Sequence, residues 1–127
     1  MTHAEKQFEN RIKSFLKTQG AWFVKTWSNG IQREGIPDIL ACLNGYFLGI
    51  EVKAKTGHPS DLQLKNIRDI RDAGGISMVL YPDQYEKFVD LVTVMDICPH
   101  KADWWEQTAF DERLTEREKE ILYGTGQ

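Results

Sequence analysis

Three charged residues near the middle of the chain, Asp38, Glu51 and Lys53, have the types and spacing of a site that could hold a metal ion. They lie in or beside two apolar runs that flank Asn44-Gly45, the dipeptide that most favours a two-residue type I′ hairpin turn. With those two residues in the turn, Asp38 faces Glu51 across the hairpin. Facing side chains point to the same side with Cβ atoms about 4.5–5.5 Å apart, and Lys53 points to that side as well.

Two ionised carboxylates so close together repel each other, and a divalent cation between them converts this repulsion into shared ligation. Oxygen ligands suit Mg²⁺ or Mn²⁺, and the backbone carbonyl of Val52 is a plausible third ligand. Lys53 would then orient an attacking water or stabilise charge on a phosphoryl group. The alternatives are a lysine that only neutralises the two acids, or a frayed hairpin end in which all three are solvated.

The hairpin is expected to be central in a sheet and buried on both faces, because both of its faces carry apolar residues. One face carries Ile39, Ala41, Leu43, Leu48, Ile50 and Val52, and the other carries Leu40, Cys42 and Phe47.

The rest of the chain predicts the element order αβββαβα. Helical spacing of apolar residues and capping-box patterns predict helices that begin near Thr2, Ser60 and Pro82, while β-branched and aromatic runs predict strands at 21–27 and 76–81. The strand, helix, strand unit from the second hairpin strand to residue 81 predicts a parallel crossover. The fold class is therefore α/β, a mixed central sheet flanked by helices, with a C-terminal helical appendage.

Length and composition predict one core domain, residues 1–98, and an appendage, residues 99–127, that packs on the core or at a dimer interface. The net charge is −3, and the acid is concentrated in the tail, which leaves room for a local basic surface. No apolar run could span a bilayer and no signal peptide is evident, so we expect no membrane partner and a location in the cytoplasm of a bacterial or phage-infected cell. Cys42 and Cys98 are expected to be free thiols.

Pro37-Asp38 followed by Glu51-Val52-Lys53 after a hairpin resembles the PD-(D/E)XK nuclease superfamily, and the αβββαβ order over roughly residues 4–82 matches its restriction-endonuclease-like core. The closest resemblance is to small stand-alone VRR-NUC nucleases, through residues 35–38 and 59–63. This resemblance, which extends to the related Holliday junction resolvases, implies cleavage of DNA that depends on Mg²⁺ or Mn²⁺, and a homodimer.

The resemblance also implies two supporting residues. The superfamily has an acid on its first helix, which Glu9 matches, and Glu9 would reach the metal directly or through a water; Glu5 competes for this role, although capping already explains it. The superfamily has a glutamine where Gln63 stands, and the alternative is that Gln63 only closes a capping box with Ser60.

Four basic residues, Lys25, Arg33, Lys55 and Lys65, are candidates for contacts to DNA phosphates. The leading hypothesis is a divalent-metal-dependent DNA endonuclease selective for branched, Holliday-junction-like DNA, with an exonuclease or a restriction-type enzyme also open. The alternative from another class is a non-catalytic DNA-binding or assembly module that acts through a partner on Trp104-Trp105. A hydrolase of other substrates ranks last, because the chain has no Gly-rich phosphate loop and no nucleophilic Ser or Cys motif.

Overall fold

A computed structural model describes residues 1–27, 34–97 and 107–124, with only the backbone of residues 96 and 97. The predicted element order is confirmed in these ranges. The elements are α1 (His3–Thr18), β1 (Trp22–Lys25), β2 (Ile39–Leu43), β3 (Tyr46–Val52), α2 (Asp61–Asp72), β4 (Ile76–Leu80), α3 (Tyr85–Ile97) and α4 (Glu116–Tyr123), with short 3-10 helices at Pro82–Gln84 and Gln107–Arg113.

The four described strands form one mixed sheet in the order β1-β2-β3-β4. β1, β2 and β3 pair antiparallel, whereas β3 and β4 pair parallel through the α2 crossover, as the sequence predicts. The β2–β3 hairpin has the expected register, with Leu43 opposite Tyr46 and Ile39 opposite Ile50. Its turn residues have positive φ angles of 52° at Asn44 and 83° at Gly45, which a type I′ turn requires. The fold class is thereby confirmed.

The helices begin where the sequence predicts hydrogen-bonding caps. The Thr2 hydroxyl accepts from the Glu5 backbone N–H at the start of α1, and Ser60 and Gln63 form a reciprocal capping box at the start of α2. Gly74 has a φ of 99° immediately after the α2 cap, a conformation that ends the helix at low steric cost. None of the described helices is both long and apolar enough to cross a membrane.

One face of the sheet carries the main core. The six hairpin residues predicted for that face are all buried, and they pack with α1 and α3. From the helices this core receives Phe8, Ile12, Leu16, Phe88, Leu91, Val92 and Met95. This face therefore fixes α1, and with it Glu9, against the sheet.

The prediction that the second face is equally buried is wrong for β2 and the start of β3. Cys42 is exposed, Phe47 is largely exposed and Leu40 is half-buried. Leu64 and Ile67 of α2 pack on Val79 and Tyr81, so this helix covers the β4 side of the sheet. Alternating apolar residues show which face a side chain occupies, but not whether a helix covers that face.

The described part of the C-terminal tail packs on α2 and β4. Leu114 and Leu122 are buried in the small core beneath α2, and Asp111 makes two 2.9 Å contacts with the guanidinium of Arg71. Arg113 donates to the Lys55 carbonyl at 2.8 Å. The tail thus touches the loop that directly follows Lys53.

One further hydrogen bond holds that loop, and the two residues that hold it are in contact with each other. The Tyr81 hydroxyl donates to the Gly57 carbonyl at 2.8 Å, and the Arg113 guanidinium lies 4.1 Å from the centre of the Tyr81 ring. Four residues considered in the sequence lie outside the described residues, namely Arg33, Cys98, Trp104 and Trp105.

Candidate active site

Asp38 lies directly before β2 and is fixed by its neighbours on both sides. The Thr26 backbone N–H donates to the Asp38 carbonyl at 2.9 Å, and the Thr26 hydroxyl donates to the Pro37 carbonyl at 2.8 Å. On the other side, the Val52 backbone N–H donates to Asp38 Oδ2 at 2.9 Å. The Asp38 carboxylate is therefore attached to β3 one residue from Glu51, as the predicted register requires.

The segment before Asp38 is packed tightly on α2. Gly35 has a φ of 77°, and a Cβ at this position would lie only 2.7 Å from Leu62 Cγ and 2.8 Å from Asn66 Nδ2. The Asn66 amide also donates to the Glu34 carbonyl at 3.3 Å. Any other residue at position 35 would be strained and would push this segment away from α2.

Glu51 is almost completely buried, with 2% of its surface exposed. Its Oε2 atom lies 3.3 Å from Lys53 Nζ, while its Oε1 atom is buried and has no hydrogen-bond partner among the described residues. Burial, together with the nearby Asp38 charge, raises the pKa of Glu51 to about 8, although Lys53 offsets part of this effect. One oxygen of the carboxylate thus has no partner, and a single lysine compensates its charge only in part.

Glu9, on α1, is also buried but is surrounded by cations. Its carboxylate lies 2.6 Å from Lys25 Nζ, 3.3 Å from Lys13 Nζ and 3.4 Å from Lys6 Nζ. Burial alone would raise its pKa, but the hydrogen bonds and charges of Lys25 and Lys13 outweigh burial and lower it.

Lys25 connects Glu9 to Asp38. Its ammonium lies 3.4 Å from Asp38 Oδ1 as well as 2.6 Å from Glu9, and these two acids raise its pKa although burial alone would lower it. The sequence suggested only a phosphate contact for Lys25 and missed this bridging position. The signal was the alternation of β1, which puts Lys25 on the same side as Phe23, facing α1.

Gln63 lies at the start of α2 beside the same site. Its Oε1 atom accepts from the Ser60 backbone N–H at 2.8 Å, so the capping alternative is present in the structure. Gln63 also lines a pocket of about 450 Å³ that contains Asp38. The pocket is lined by Met1, Lys6, Lys25, Thr26, Trp27, Glu34, Gly35, Ile36, Asp38 and Gln63.

The other candidate DNA contacts lie further out. Lys55 is exposed in the loop after the motif, and Lys65 is exposed on α2, where its ammonium is 3.3 Å from Asp69.

The residues that could hold a divalent ion are few but chemically suitable. No group of three or more His, Cys, Asp or Glu side chains in the described ranges is arranged to hold a metal. Mg²⁺ is commonly bound by only one or two carboxylates, with water and substrate phosphate completing its octahedron. Asp38, Glu51 and the Val52 carbonyl fit this pattern, and the unpartnered Glu51 Oε1 atom gives such an ion a ligand.

The fold is restriction-endonuclease-like, a mixed sheet with flanking helices. One acid lies directly before the first hairpin strand, and an acid and a lysine lie at the end of the second. The family model of the archaeal Holliday junction resolvase (hjc) matches residues 2–74, more than half of the chain. The chain therefore belongs to this family, a nuclease family of the PD-(D/E)XK type. Comparison with curated proteins gave no match.

Proposed function

We propose that the protein is a divalent-metal-dependent DNA endonuclease that cleaves phosphodiester bonds in branched, Holliday-junction-like DNA. Family membership supports the class of activity and the type of substrate. All five proposed catalytic residues, Glu9, Asp38, Glu51, Lys53 and Gln63, lie within the matched segment. The proposed metal is Mg²⁺ or Mn²⁺, and the proposed product carries a 5′-phosphate.

The observation that carries this proposal is the state of Glu51. A carboxylate that is buried, unpartnered at one oxygen and adjacent to a second acid is unfavourable as a purely structural feature. Such a group is commonly retained where chemistry requires it. The structural alternative, in which Lys53 simply neutralises the two acids, leaves Glu51 Oε1 without a partner.

The metal ligands and Lys53 have different proposed roles. Asp38, Glu51 and the Val52 carbonyl would hold a divalent ion, which would supply the positive charge needed to polarise the scissile phosphodiester and to activate water. Lys53, whose ammonium is 3.3 Å from Glu51, orients the attacking water and stabilises charge on the phosphoryl oxygens. The Asp38 carboxylate keeps its orientation through the Val52 N–H.

The supporting residues act around this centre. The Glu9 carboxylate holds Lys25 against Asp38, so Glu9 contributes through Lys25 or through a water rather than by direct ligation. The Gln63 amide lies in the pocket wall and is available to hydrogen-bond substrate or water. Lys55, Lys65, Lys25 and Arg33 are proposed to contact DNA phosphates.

The finer assignments belong to the same proposal. Within the superfamily we place the chain near the small stand-alone VRR-NUC nucleases, on residues 35–38 and 59–63. Residues 1–98 form the nuclease core and residues 99–127 the appendage. A homodimer would provide the two sites that cleavage of a two-fold symmetric junction needs. The location we propose is the cytoplasm of a bacterial or phage-infected cell.

The test is cleavage of linear, nicked and four-way-junction DNA by the purified protein with Mg²⁺ or Mn²⁺. We expect cleavage of the junction, and a loss of at least about a hundredfold in Asp38→Asn and Glu51→Gln, because each removes a charge that holds the metal. Glu116→Gln, which changes a carboxylate that is 91% exposed on α4, is the matched control and should cleave normally. Equal cleavage by all variants would indicate a contaminating nuclease and remove the catalytic claim.

A further inference from the structure

The pocket beside Asp38 has an exposed tryptophan in its wall that the proposed chemistry does not use. Trp27 directly follows Thr26, whose backbone and hydroxyl are hydrogen-bonded to Asp38 and Pro37. The Trp27 residue is 62% exposed although it lines the pocket with Asp38 and Gln63. A large aromatic ring thus follows directly on the residue that is hydrogen-bonded to Asp38, and much of the surface of this tryptophan is in solvent.

The ring lies close to the candidate reaction centre. Lys25 Nζ is 3.4 Å from Asp38 Oδ1 and 5.7 Å from the centre of the Trp27 ring. The distance from Asp38 Oδ1 to the centre of the Trp27 ring therefore cannot exceed the sum of these two distances. A nucleotide whose phosphate lies at Asp38 has its own base, or the adjacent one, within reach of the indole.

The charges around the ring suit a nucleic acid. Lys6 also lines the pocket, its Nζ lies over the ring at 5.9 Å from the ring centre, and 46% of its side chain is exposed, so a solvent-accessible positive charge lies beside the indole. Glu34 and Asp38 are the acids in the pocket wall. A volume of about 450 Å³ lies within the range of small-molecule sites and accommodates one nucleotide.

We infer that Trp27 is a stacking platform for an unpaired nucleobase of DNA, next to the phosphodiester that is cleaved. This inference rests on the proposed function and names the feature of the substrate that the site selects. In a continuous duplex both faces of a base are covered by its neighbours, so only a base freed at a branch point, nick or flap offers a face to the indole. The pocket thereby favours branched DNA over linear duplex.

The experiment measures DNA binding in Ca²⁺, used in place of Mg²⁺ to limit cleavage, with 2-aminopurine as an unpaired base at the branch point. Wild-type protein should quench the 2-aminopurine fluorescence on binding, because the base stacks on the indole. Trp27→Ala should abolish this quenching and weaken binding of the branched DNA about tenfold, the size typical of one base stacked on an aromatic side chain. Trp27→Phe should restore most of both effects.

The matched control is Trp22→Ala. Trp22 is another exposed tryptophan, at the opposite end of β1, and is 67% exposed. It does not line the described pocket, so its removal should leave quenching and affinity unchanged. A paired 2-aminopurine in linear duplex should show no dependence on Trp27.

Two results would overturn the inference. If Trp27→Ala binds and quenches like wild type while junction cleavage is still lost in Asp38→Asn, the platform is rejected and the nuclease assignment stands. If wild-type protein neither binds nor cleaves DNA, both are rejected.

Discussion

Glu9 and Glu51 are two buried glutamates near Asp38, and their surroundings shift their pKa values in opposite directions. Glu9 is fully buried but has three lysine ammoniums within 3.4 Å, and its pKa is lowered. Glu51 is almost as inaccessible but has one lysine, at Oε2, and its Oε1 atom has neither a hydrogen bond nor an ion pair among the described residues, whereas Oε1 of Glu9 lies 2.6 Å from Lys25. The pKa of Glu51 is raised to about 8. The difference indicates that lysines of the protein compensate the charge of Glu9, whereas the charge of Glu51 requires a bound cation.

The largest expected effect is the pH dependence of stability in the metal-free protein. The folded pKa of Glu51, about 8, lies above the ordinary value of 4.5, so Glu51 is protonated in both states at low pH and ionises first in the unfolded chain. The free energy of unfolding therefore falls by roughly 5 kcal/mol as pH rises from 4.5 to 8, at about 1.36 kcal/mol per pKa unit, and stays constant above pH 8.

This loss is measured by urea unfolding with EDTA at several pH values, as the difference between wild type and Glu51→Gln. The variant should be more stable than wild type above neutral pH. Glu9→Gln should have the opposite sign, because the lowered pKa of Glu9 stabilises the fold above pH 4.5 and this contribution disappears as pH falls through the lowered pKa. Changes of the same sign in both variants would refute the distinction between the two acids.

The second effect concerns the lysine that serves both Glu9 and Asp38. Lys25→Met should lower the free energy of unfolding by about 3 kcal/mol, because it leaves buried carboxylate charge with less compensation. The double variant Lys25→Met with Glu9→Gln should regain most of that loss. Lys6→Met is the control, and since Lys6 is half exposed it should change stability by less than about 1 kcal/mol. Equal losses from both lysines would mean that Lys25 has no special position.

The smallest effect is stabilisation by the metal itself. At a metal concentration about a hundred times the dissociation constant, Mn²⁺ should raise the free energy of unfolding by about 2.7 kcal/mol. The gain at a fixed metal concentration should be larger at pH 8 than at pH 6, because binding must displace the Glu51 proton. Glu51→Gln should lose most of the gain, whereas Glu9→Gln should keep it. A gain that depends on Glu9 instead would show that Glu9 is the direct ligand.

The sequence was sufficient for the parts of the site that depend on local chemistry. Asn44-Gly45 fixes the turn, the turn fixes the register, and the register brings Asp38 next to Glu51. Capping patterns also predicted the helix N-caps at Thr2 and Ser60, because a cap depends on local sequence. Each of these predictions depends on residues only a few positions apart.

The parts that could not be predicted depend on contacts between distant segments. The partners of Glu9 include Lys25 on another element, and no local pattern specifies that pair. The exposure of Cys42 and Phe47 depends on where α2 lies, which alternation along a strand does not encode. For Gln63 the sequence left two roles open; the capping hydrogen bond is observed, and the second role stays a proposal.

The contacts of Arg113 and Tyr81 have a practical consequence for anyone who isolates the part of this chain that the family model matches. The family match ends at residue 74, yet Lys55 and Gly57 are held by Arg113 and Tyr81, which lie beyond it. A fragment cut at the family boundary would retain every proposed catalytic side chain but not the brace behind the loop that follows Lys53. Such a fragment would contain the proposed catalytic residues but lack the contacts that hold the loop beside them in place.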